Sequence, residues 1–292
     1  MRGAGDGVAY DKEPVQCKDG DKHPDNPTLP TWARLSINRC NLPAVILGSL
    51  TYQQNPSPLE IDGVADLHRD FFRMLHMREE SAERVQLFQD YMRMCFRLDA
   101  LEDAGLTPGM QKNRGKLNYL KLIRGWHFNS DSIEGAVLKS WAESRFGLLP
   151  RYHRAPIRDF SGEAYTQYLE QRSSGLYNTN ALEAQLDLLY TYTQTELARC
   201  YPGRTHFSLY RGVNRWESFE ILGEREGQTL VLLNNVNSFS RDQERAGEFG
   251  DRVIAAEVPL TKIICCDEVL PGKLQGEGES LVIGGVFGVR AG

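Results

Sequence analysis

Residues 197–212 read LARCYPGRTHFSLYRG, and this stretch marks the point where the hydrophobic pattern of the chain changes. Before it, apolar residues such as Leu182 and Leu186 recur every three or four positions, which is the period of an amphipathic helix. Pro202 and Gly203 stop such a helix. After them come short runs rich in β-branched and aromatic residues. The stretch therefore predicts a boundary between a helical part and a β-rich part of the chain.

Upstream of this boundary the pattern is mainly helical. The stripes at helical spacing are Leu67, Phe71 and Leu75; Val85, Phe88, Met92 and Phe96; and Leu182, Leu186, Leu189 and Leu197. We interpret them as faces that helices bury in the core. Asn180 and Glu183 have the spacing of a capping box for the last helix. Residues 31–200 are thus predicted to be mainly helical, with the last helix packing on the core that follows.

The segments on either side of this helical region differ from it. Residues 1–30 are rich in Gly, Asp, Lys and Pro without periodicity, which favours a flexible leader. Residues 201–292 are predicted to form a β-rich core, with strands at Phe207–Arg211, Thr229–Val236, Arg252–Val258, Lys262–Cys266 and Ser280–Phe287. Helices come first and strands crowd together afterwards, so the predicted fold class is α+β.

Composition excludes several functions. The net charge of -5 and pI near 5.8 leave no positive field that could gather nucleic acid. The longest apolar run, Leu42 to Leu50, is shorter than the roughly 20 residues of a spanning helix. The first residues lack the pattern of a secretory signal, so we expect a cytoplasmic protein. The six cysteines have no C-x-x-C spacing, and we predict no metal.

Familiar catalytic and nucleotide-binding motifs are missing. Gly276 and Gly278 are followed by Leu281 where a dinucleotide fingerprint needs its third glycine. No histidine belongs to an H-E-x-x-H motif, and no G-x-S-x-G motif supplies a nucleophile. We therefore interpret His127 and His153 as structural residues.

Two small motifs in the β-rich part carry polar groups suited to a ligand. Arg211 ends an apolar run and can bind a diphosphate through two hydrogen bonds, while Gly212 permits close approach of the backbone to a ligand. Ser238 and Ser240 offer two hydroxyls on one side of an extended strand. Taken alone, the arginine is better explained by a surface salt bridge, and the two serines by an ordinary strand-to-turn sequence.

A third motif places two carboxylates at the start of a hydrophobic strand. Glu277 and Glu279 are separated by one residue, so in an extended chain both point the same way. Like charges this close raise each other's pKa, an arrangement that a cationic ligand or reaction centre compensates. The alternative interpretation is that both glutamates are exposed to solvent at the start of the strand and have no ligand.

The order of the three motifs, an arginine, then Ser-x-Ser, then Glu-x-Glu, resembles the R-S-E class of mono-ADP-ribosyltransferases. That resemblance implies a split two-sheet core with NAD in its central cleft. Residues 37–50 (INRCNLPAVILGSL) and 270–279 (LPGKLQGEGE) further resemble the dinitrogenase reductase ADP-ribosyltransferase family of nitrogen-fixing bacteria. This closer likeness implies an arginine of dinitrogenase reductase, the nitrogenase iron protein, as acceptor. It also implies control by a PII signalling protein.

The resemblance also implies roles for individual residues. Glu279 would stabilise the positive charge that develops on the ribose, and Glu277 would orient the acceptor arginine and take up its proton. Arg211 would bind the NAD phosphates or the adjacent ribose, Gly212 the carboxamide, and Ser238 would hold Glu279.

Further NAD contacts are expected from Ser240 and from the run at residues 247–252. Phe249 would stack on nicotinamide, and Arg252 would reach a phosphate. Three alternatives stay open: an NAD glycohydrolase, a transferase with another protein target, and a non-catalytic nucleotide-binding regulator.

Overall fold

The structure is a computed structural model that describes residues 27–98, 117–177, 181–272 and 278–291. Helices occupy the first part of the chain and strands the second, which confirms the α+β class. Glu277 and Asn180 lie outside the described residues, as does most of the expected leader. Of that leader, residues 27–30 lie against the core: Leu29 is buried, and the Pro27 carbonyl accepts a hydrogen bond from the Leu50 N–H.

The helices in the described residues before the boundary are α1 (Ala44–Leu47), α2 (Leu50–Gln54), α3 (Val64–Leu67), α4 (Arg69–His76), α5 (Ser81–Phe96), α6 (Tyr119–Phe128), α7 (Ile133–Phe146), α8 (Glu163–Leu176) and α9 (Leu182–Cys200). A short hairpin, β1 (Tyr152–His153) and β2 (Ala155–Pro156), separates α7 from α8. None of the described helices has the length and apolar character needed to cross a bilayer.

Two of the three predicted stripes are confirmed as core faces. The apolar residues of α5 and α9 that form them are all buried. The stripe around residue 70 is partly wrong, because the helix is interrupted at His68: Phe71 and Leu75 are buried, but Leu67 is 78% exposed. Ala181 occupies the N-cap position of α9, and no side chain caps this end of the helix.

The second part of the chain forms one antiparallel hydrogen-bonded sheet. Its strands are β3 (His206–Val213), β4 (Glu220–Arg225), β5 (Gln228–Ser240), β6 (Arg252–Pro259), β7 (Ile263–Cys266) and β8 (Glu279–Ala291), and a short helix, α10 (Gln243–Gly247), lies between β5 and β6. All five predicted strands are confirmed, and β4 is additional. The strand order is β4-β5-β3-β6-β8-β7, with a further pairing of β5 with β8.

Strands β5 and β8 form the longest strand pairing of this sheet. They run antiparallel from the Thr229–Val289 pair to the Ser240–Glu279 pair, with one irregularity between Leu233 and Val236. The end of β5 therefore lies opposite the start of β8. Strands β3 and β6 pair along their whole length but join β5 and β8 through only a few residues.

Helices and sheet share one hydrophobic core. Buried side chains from α5, α7 and α9 belong to the same cluster as those of β5 and β8, including Phe88, Trp141, Leu189 and Phe287. Gln53 on α2 bridges β6 and β8 where these two strands no longer pair with each other. Its side chain donates to the Glu257 and Gly288 carbonyls and accepts from the Gly288 N–H. The helical part therefore helps to set the position of the strands.

Candidate active site

Three strand ends meet at one edge of the sheet, and each carries one of the motifs. Ser240 at the end of β5 is paired both with Tyr210 on β3 and with Glu279 at the start of β8. Paired residues of neighbouring strands lie side by side, so Tyr210, Ser240 and Glu279 form a row across three strands. The structure thus brings the Arg, Ser and Glu motifs together in space.

Arg211 lies directly against the serine motif. Its Nη1 donates a hydrogen bond of 2.7 Å to the Ser238 carbonyl, whereas its Nε has no hydrogen-bond partner among the described residues. Burial lowers the pKa of the guanidinium to about 10, which still leaves it charged at neutral pH. No described carboxylate forms an ion pair with it. Arg211 is therefore a fixed cation with spare hydrogen-bonding capacity.

Both hydroxyls of the serine motif have partners other than Glu279. The Ser238 hydroxyl accepts a hydrogen bond of 2.9 Å from the indole N–H of Trp126 on α6. The Ser240 hydroxyl accepts one of 3.0 Å from the Asp242 N–H, just before α10. Among the described residues, neither serine forms a hydrogen bond with Glu279. The contact expected from Ser238 is made by another residue.

That residue is His127, at the end of α6. Its Nδ1 lies 2.5 Å from Glu279 Oε1, and the imidazole is 3% exposed while the carboxylate side chain is 20% exposed. The sequence interpretation of His127 as merely structural overlooked this contact. One signal was present: Tyr119, Ile123 and His127 are four residues apart, so a polar side chain continues the buried face of α6.

Gly212 packs against the loop that follows α10. A Cβ on Gly212 would lie 2.0 Å from the Ala246 carbonyl oxygen and 3.0 Å from the carbonyl carbon of Phe249. The close approach that this glycine permits in the structure is therefore to the chain's own backbone. The same packing places Phe249 beside the end of β3, with 66% of its surface exposed.

Arg252 starts β6, opposite Val213 at the end of β3. Its guanidinium lies 5.5 Å from the centre of the Trp216 ring, in a cation–π contact, and the residue is exposed. Arg252 therefore belongs to the same end of the sheet as Gly212 and Phe249, although it does not contact Arg211 or Glu279 in the contacts formed by the described residues.

Lys139 on α7 is close enough to Arg211 for their charges to interact. Burial lowers the pKa of Lys139 on α7 to about 8, and the nearby charge of Arg211 acts in the same direction. Asp131 opposes this effect by accepting a hydrogen bond of 3.1 Å from the Lys139 ammonium. Because Asp131 pairs with Lys139, Arg211 is the cation here without a described carboxylate partner, and its charge makes this end of the sheet favourable for an anionic ligand. No group of three or more metal-binding side chains occurs in the part of the chain that the structure describes.

Comparison with known proteins shows what the chain is similar to. The family model described as dinitrogenase reductase ADP-ribosyltransferase (DRAT) matches residues 37–291. Over 261 residues the chain is 38% identical to NAD(+)--dinitrogen-reductase ADP-D-ribosyltransferase of Rhodospirillum rubrum, a match that covers 88% of this chain and 94% of that protein. No solved structure matches the chain. The matched range includes α6, β3, β5 and β8.

Proposed function

The chain belongs to the dinitrogenase reductase ADP-ribosyltransferase family, and we propose that it transfers ADP-ribose from NAD to an arginine of dinitrogenase reductase. The modification would inactivate that protein reversibly and so regulate nitrogen fixation. The observation that supports this proposal best is the convergence of Arg211, Ser238 and Glu279 where β3, β5 and β8 meet.

The reaction breaks the bond between nicotinamide and ribose, which generates positive charge on the sugar, as in glycoside hydrolysis. An anion fixed beside that sugar stabilises the transition state more than the substrate. In our proposal Glu279 is this anion. Its partial burial supports the role, because a charge shielded from water acts more strongly on a neighbouring charge.

Arg211 would hold the diphosphate of NAD. A guanidinium offers a fork of donors that fits phosphate oxygens, and hydrogen bonds between charged groups are among the strongest in proteins. The free Nε and the missing carboxylate partner among the described residues leave Arg211 able to take an anion.

The other proposed contacts with NAD come from residues at the same end of the sheet. Gly212 would present its backbone to the carboxamide, Phe249 would stack on nicotinamide, and Arg252 would reach a phosphate. Ser240 would line the floor of the site next to Glu279. Support comes from the position of all four at one end of the sheet, with Phe249 and Arg252 accessible to solvent.

NAD would occupy a cleft between two halves of a split sheet. One half would be β3 with β6, and the other β4, β5, β8 and β7. In support of this division, the pairs between described residues join β3 to β5 only at Tyr210–Ser240, and β6 to β8 only at Ile254 and Ala255. The helical region up to residue 200 would then buttress the second half through α6, α7 and α9.

The choice of acceptor would rest on Glu277, in the segment just before β8. A guanidinium is protonated at neutral pH and is a poor nucleophile, so a carboxylate must pair with it and take up a proton as the new bond forms. Glu277 is two residues from Glu279 and could supply that carboxylate.

Control of the activity would be exerted by a PII signalling protein that docks on the helical region. This part of the proposal rests on the resemblance of the chain to its family. A binding assay between the two purified proteins, with and without nucleotide, tests it directly.

The proposed activity is tested with purified dinitrogenase reductase and NAD labelled in the adenylate phosphate. Wild type should label the protein, and Glu279→Gln should lower the rate by about 10² to 10³-fold, because it removes one preorganised electrostatic contact. Glu277→Gln should lose protein labelling but still release nicotinamide. Glu224→Gln, on exposed β4, is the matched control and should behave as wild type.

The alternatives give different results in the same assay. Free ADP-ribose without labelled protein would identify an NAD glycohydrolase. Label on another protein of a diazotroph extract, with none on dinitrogenase reductase, would identify a different target. Bound NAD that is never consumed would identify a regulator without catalysis.

A further inference from the structure

The last turn of helix α6 contacts two of the strands that carry the proposed catalytic residues. Trp126 donates to the Ser238 hydroxyl on β5, and His127 lies 2.5 Å from the Glu279 carboxylate on β8. Two adjacent residues of one helix therefore contact two of the three motifs. Neither residue belongs to the β-rich part of the chain.

The imidazole of His127 is buried next to the Glu279 carboxylate. Its side chain is almost fully buried, and neither ring nitrogen has a hydrogen-bond partner among the described residues, although Nδ1 lies within ion-pair distance of Glu279. Burying a polar ring without partners destabilises a fold, so such groups call for a specific explanation. The ion-pair contact that it makes among the described residues is with Glu279 Oε1.

Helix α6 is well placed to hold this ring still. At its first turn, the Tyr119 N–H donates a hydrogen bond of 3.0 Å to the Gln185 side chain on α9. Along its length, Gly125 packs so closely on Glu134 of α7 that a Cβ would lie 2.4 Å from the glutamate Cγ. At its last turn, Trp126 is tied to β5. A side chain on an element fixed at both ends loses little entropy when it orients a partner.

We propose that His127 is a positioning residue for Glu279. The close approach of Nδ1 to Oε1 lets a protonated Nδ1 pair with that oxygen and restrict rotation of the carboxylate. Oε2, which forms no hydrogen bond with a described residue, is then left to face the nicotinamide ribose. This inference rests on the proposed function, since it assigns Glu279 to catalysis. His127 itself does not touch the substrate.

A positioning role predicts a specific kinetic effect. His127→Phe keeps a planar ring but removes the donor, and it should lower kcat for ADP-ribosyl transfer by about 10²-fold, because a small misplacement of a catalytic group has an effect of this size. KM for NAD should stay within about threefold, since Arg211 and the loop of Phe249 remain. His127→Asn, whose amide nitrogen lies near the place of Nδ1, should recover most of kcat.

The control is His68, another buried histidine, which bonds Tyr91 and lies outside the site. His68→Phe removes a buried imidazole as well and should leave kcat within twofold of wild type. Melting temperatures of all variants report on folding. If His127→Phe does not fold, His127→Gln replaces it, because its longer amide reaches towards the place of Nε2 and should not restore kcat as Asn does.

A double variant separates positioning from general damage. If His127 acts through Glu279, then His127→Phe combined with Glu279→Gln should be no slower than Glu279→Gln alone. Multiplied losses in the double variant, an unchanged kcat in His127→Phe, or equal recovery by Asn and Gln would each overturn the inference while leaving the proposed function intact. Full activity of Glu279→Gln would overturn both.

Discussion

The indole N–H of Trp126 donates to the hydroxyl of Ser238 over 2.9 Å, and this bond joins the last turn of α6 to the end of β5. The two residues are 112 positions apart in the chain. The bond fixes the helical part against the strand whose next residues face Glu279. It also occupies an acceptor site of Ser238, so that the serine hydroxyl is directed by the helix.

Trp126→Phe tests the contribution of this bond. The variant keeps an aromatic ring in the core but removes the donor, and we expect the free energy of unfolding in urea to fall by about 1 kcal/mol. Ser238→Ala should cost a similar amount. Because both changes remove the same bond, the double variant should be less destabilised than the sum of the two. Fully additive losses would show that the bond contributes nothing.

Arg211→Lys tests the diphosphate contact. Lysine keeps the charge but loses the fork of donors, so kcat/KM for NAD should fall by about 10- to 100-fold, the value of a hydrogen bond between charged groups. Steady-state kinetics measure it. Arg204→Lys, just before β3, is the control, because its guanidinium lies over Phe207 and bonds the His206 carbonyl, outside the site. Equal losses in both variants would contradict a specific role for Arg211.

Gly212→Ala tests the packing of the loop that carries Phe249. The new methyl group would collide with the Ala246 carbonyl at 2.0 Å, so the loop must move. We expect a loss of about 1 to 3 kcal/mol in stability, which is typical of overpacking, together with weaker NAD binding. Gly247→Ala is the matched control, since its Cβ would meet only Val253 at 3.7 Å within a helix. It should be neutral or stabilising in thermal melts.

Lys262→Met tests a buried amine beneath the sheet. The Lys262 ammonium donates to the Gly284 carbonyl over 2.8 Å and lies 4.5 Å from the centre of the Phe287 ring. Burial lowers its pKa to about 7 from its usual value of 10.5. Above pH 7 the unfolded chain therefore binds more protons at this residue than the folded chain does, so this group makes the fold more stable as pH rises towards 10.

The measurement is the free energy of unfolding in urea at pH 7, 8 and 9. Relative to Lys262→Met, wild type should gain stability with a slope of up to about 1.4 kcal/mol per pH unit. Comparing the two proteins removes the effect of every other titrating group. Parallel curves for wild type and variant would show that Lys262 keeps its usual pKa in the fold.

Some features of the fold were less visible in the sequence. Strand β4 was not predicted because Glu220–Arg225 lies at the sheet edge with no buried residue, so it has no alternating apolar pattern. The break at His68 was missed for a related reason. Helical spacing continues from Leu67 to Phe71, but the chain turns between α3 and α4 and leaves Leu67 in solvent.

The α+β order, five of the strands and the succession of Arg211, Ser238 and Glu279 could be predicted from the sequence. These features depend on local periodicity and on motifs a few residues long, which neighbours in the chain are enough to specify. The pairing of Ser240 with Glu279, and the approach of Trp126 and His127 to the motifs from α6, became visible in the folded chain and could not be predicted from the sequence. Contacts between residues far apart in the chain depend on which strands pair and on how a helix packs across the sheet. Burial of the shared core fixes that geometry, and the spacing of residues along the chain does not record it.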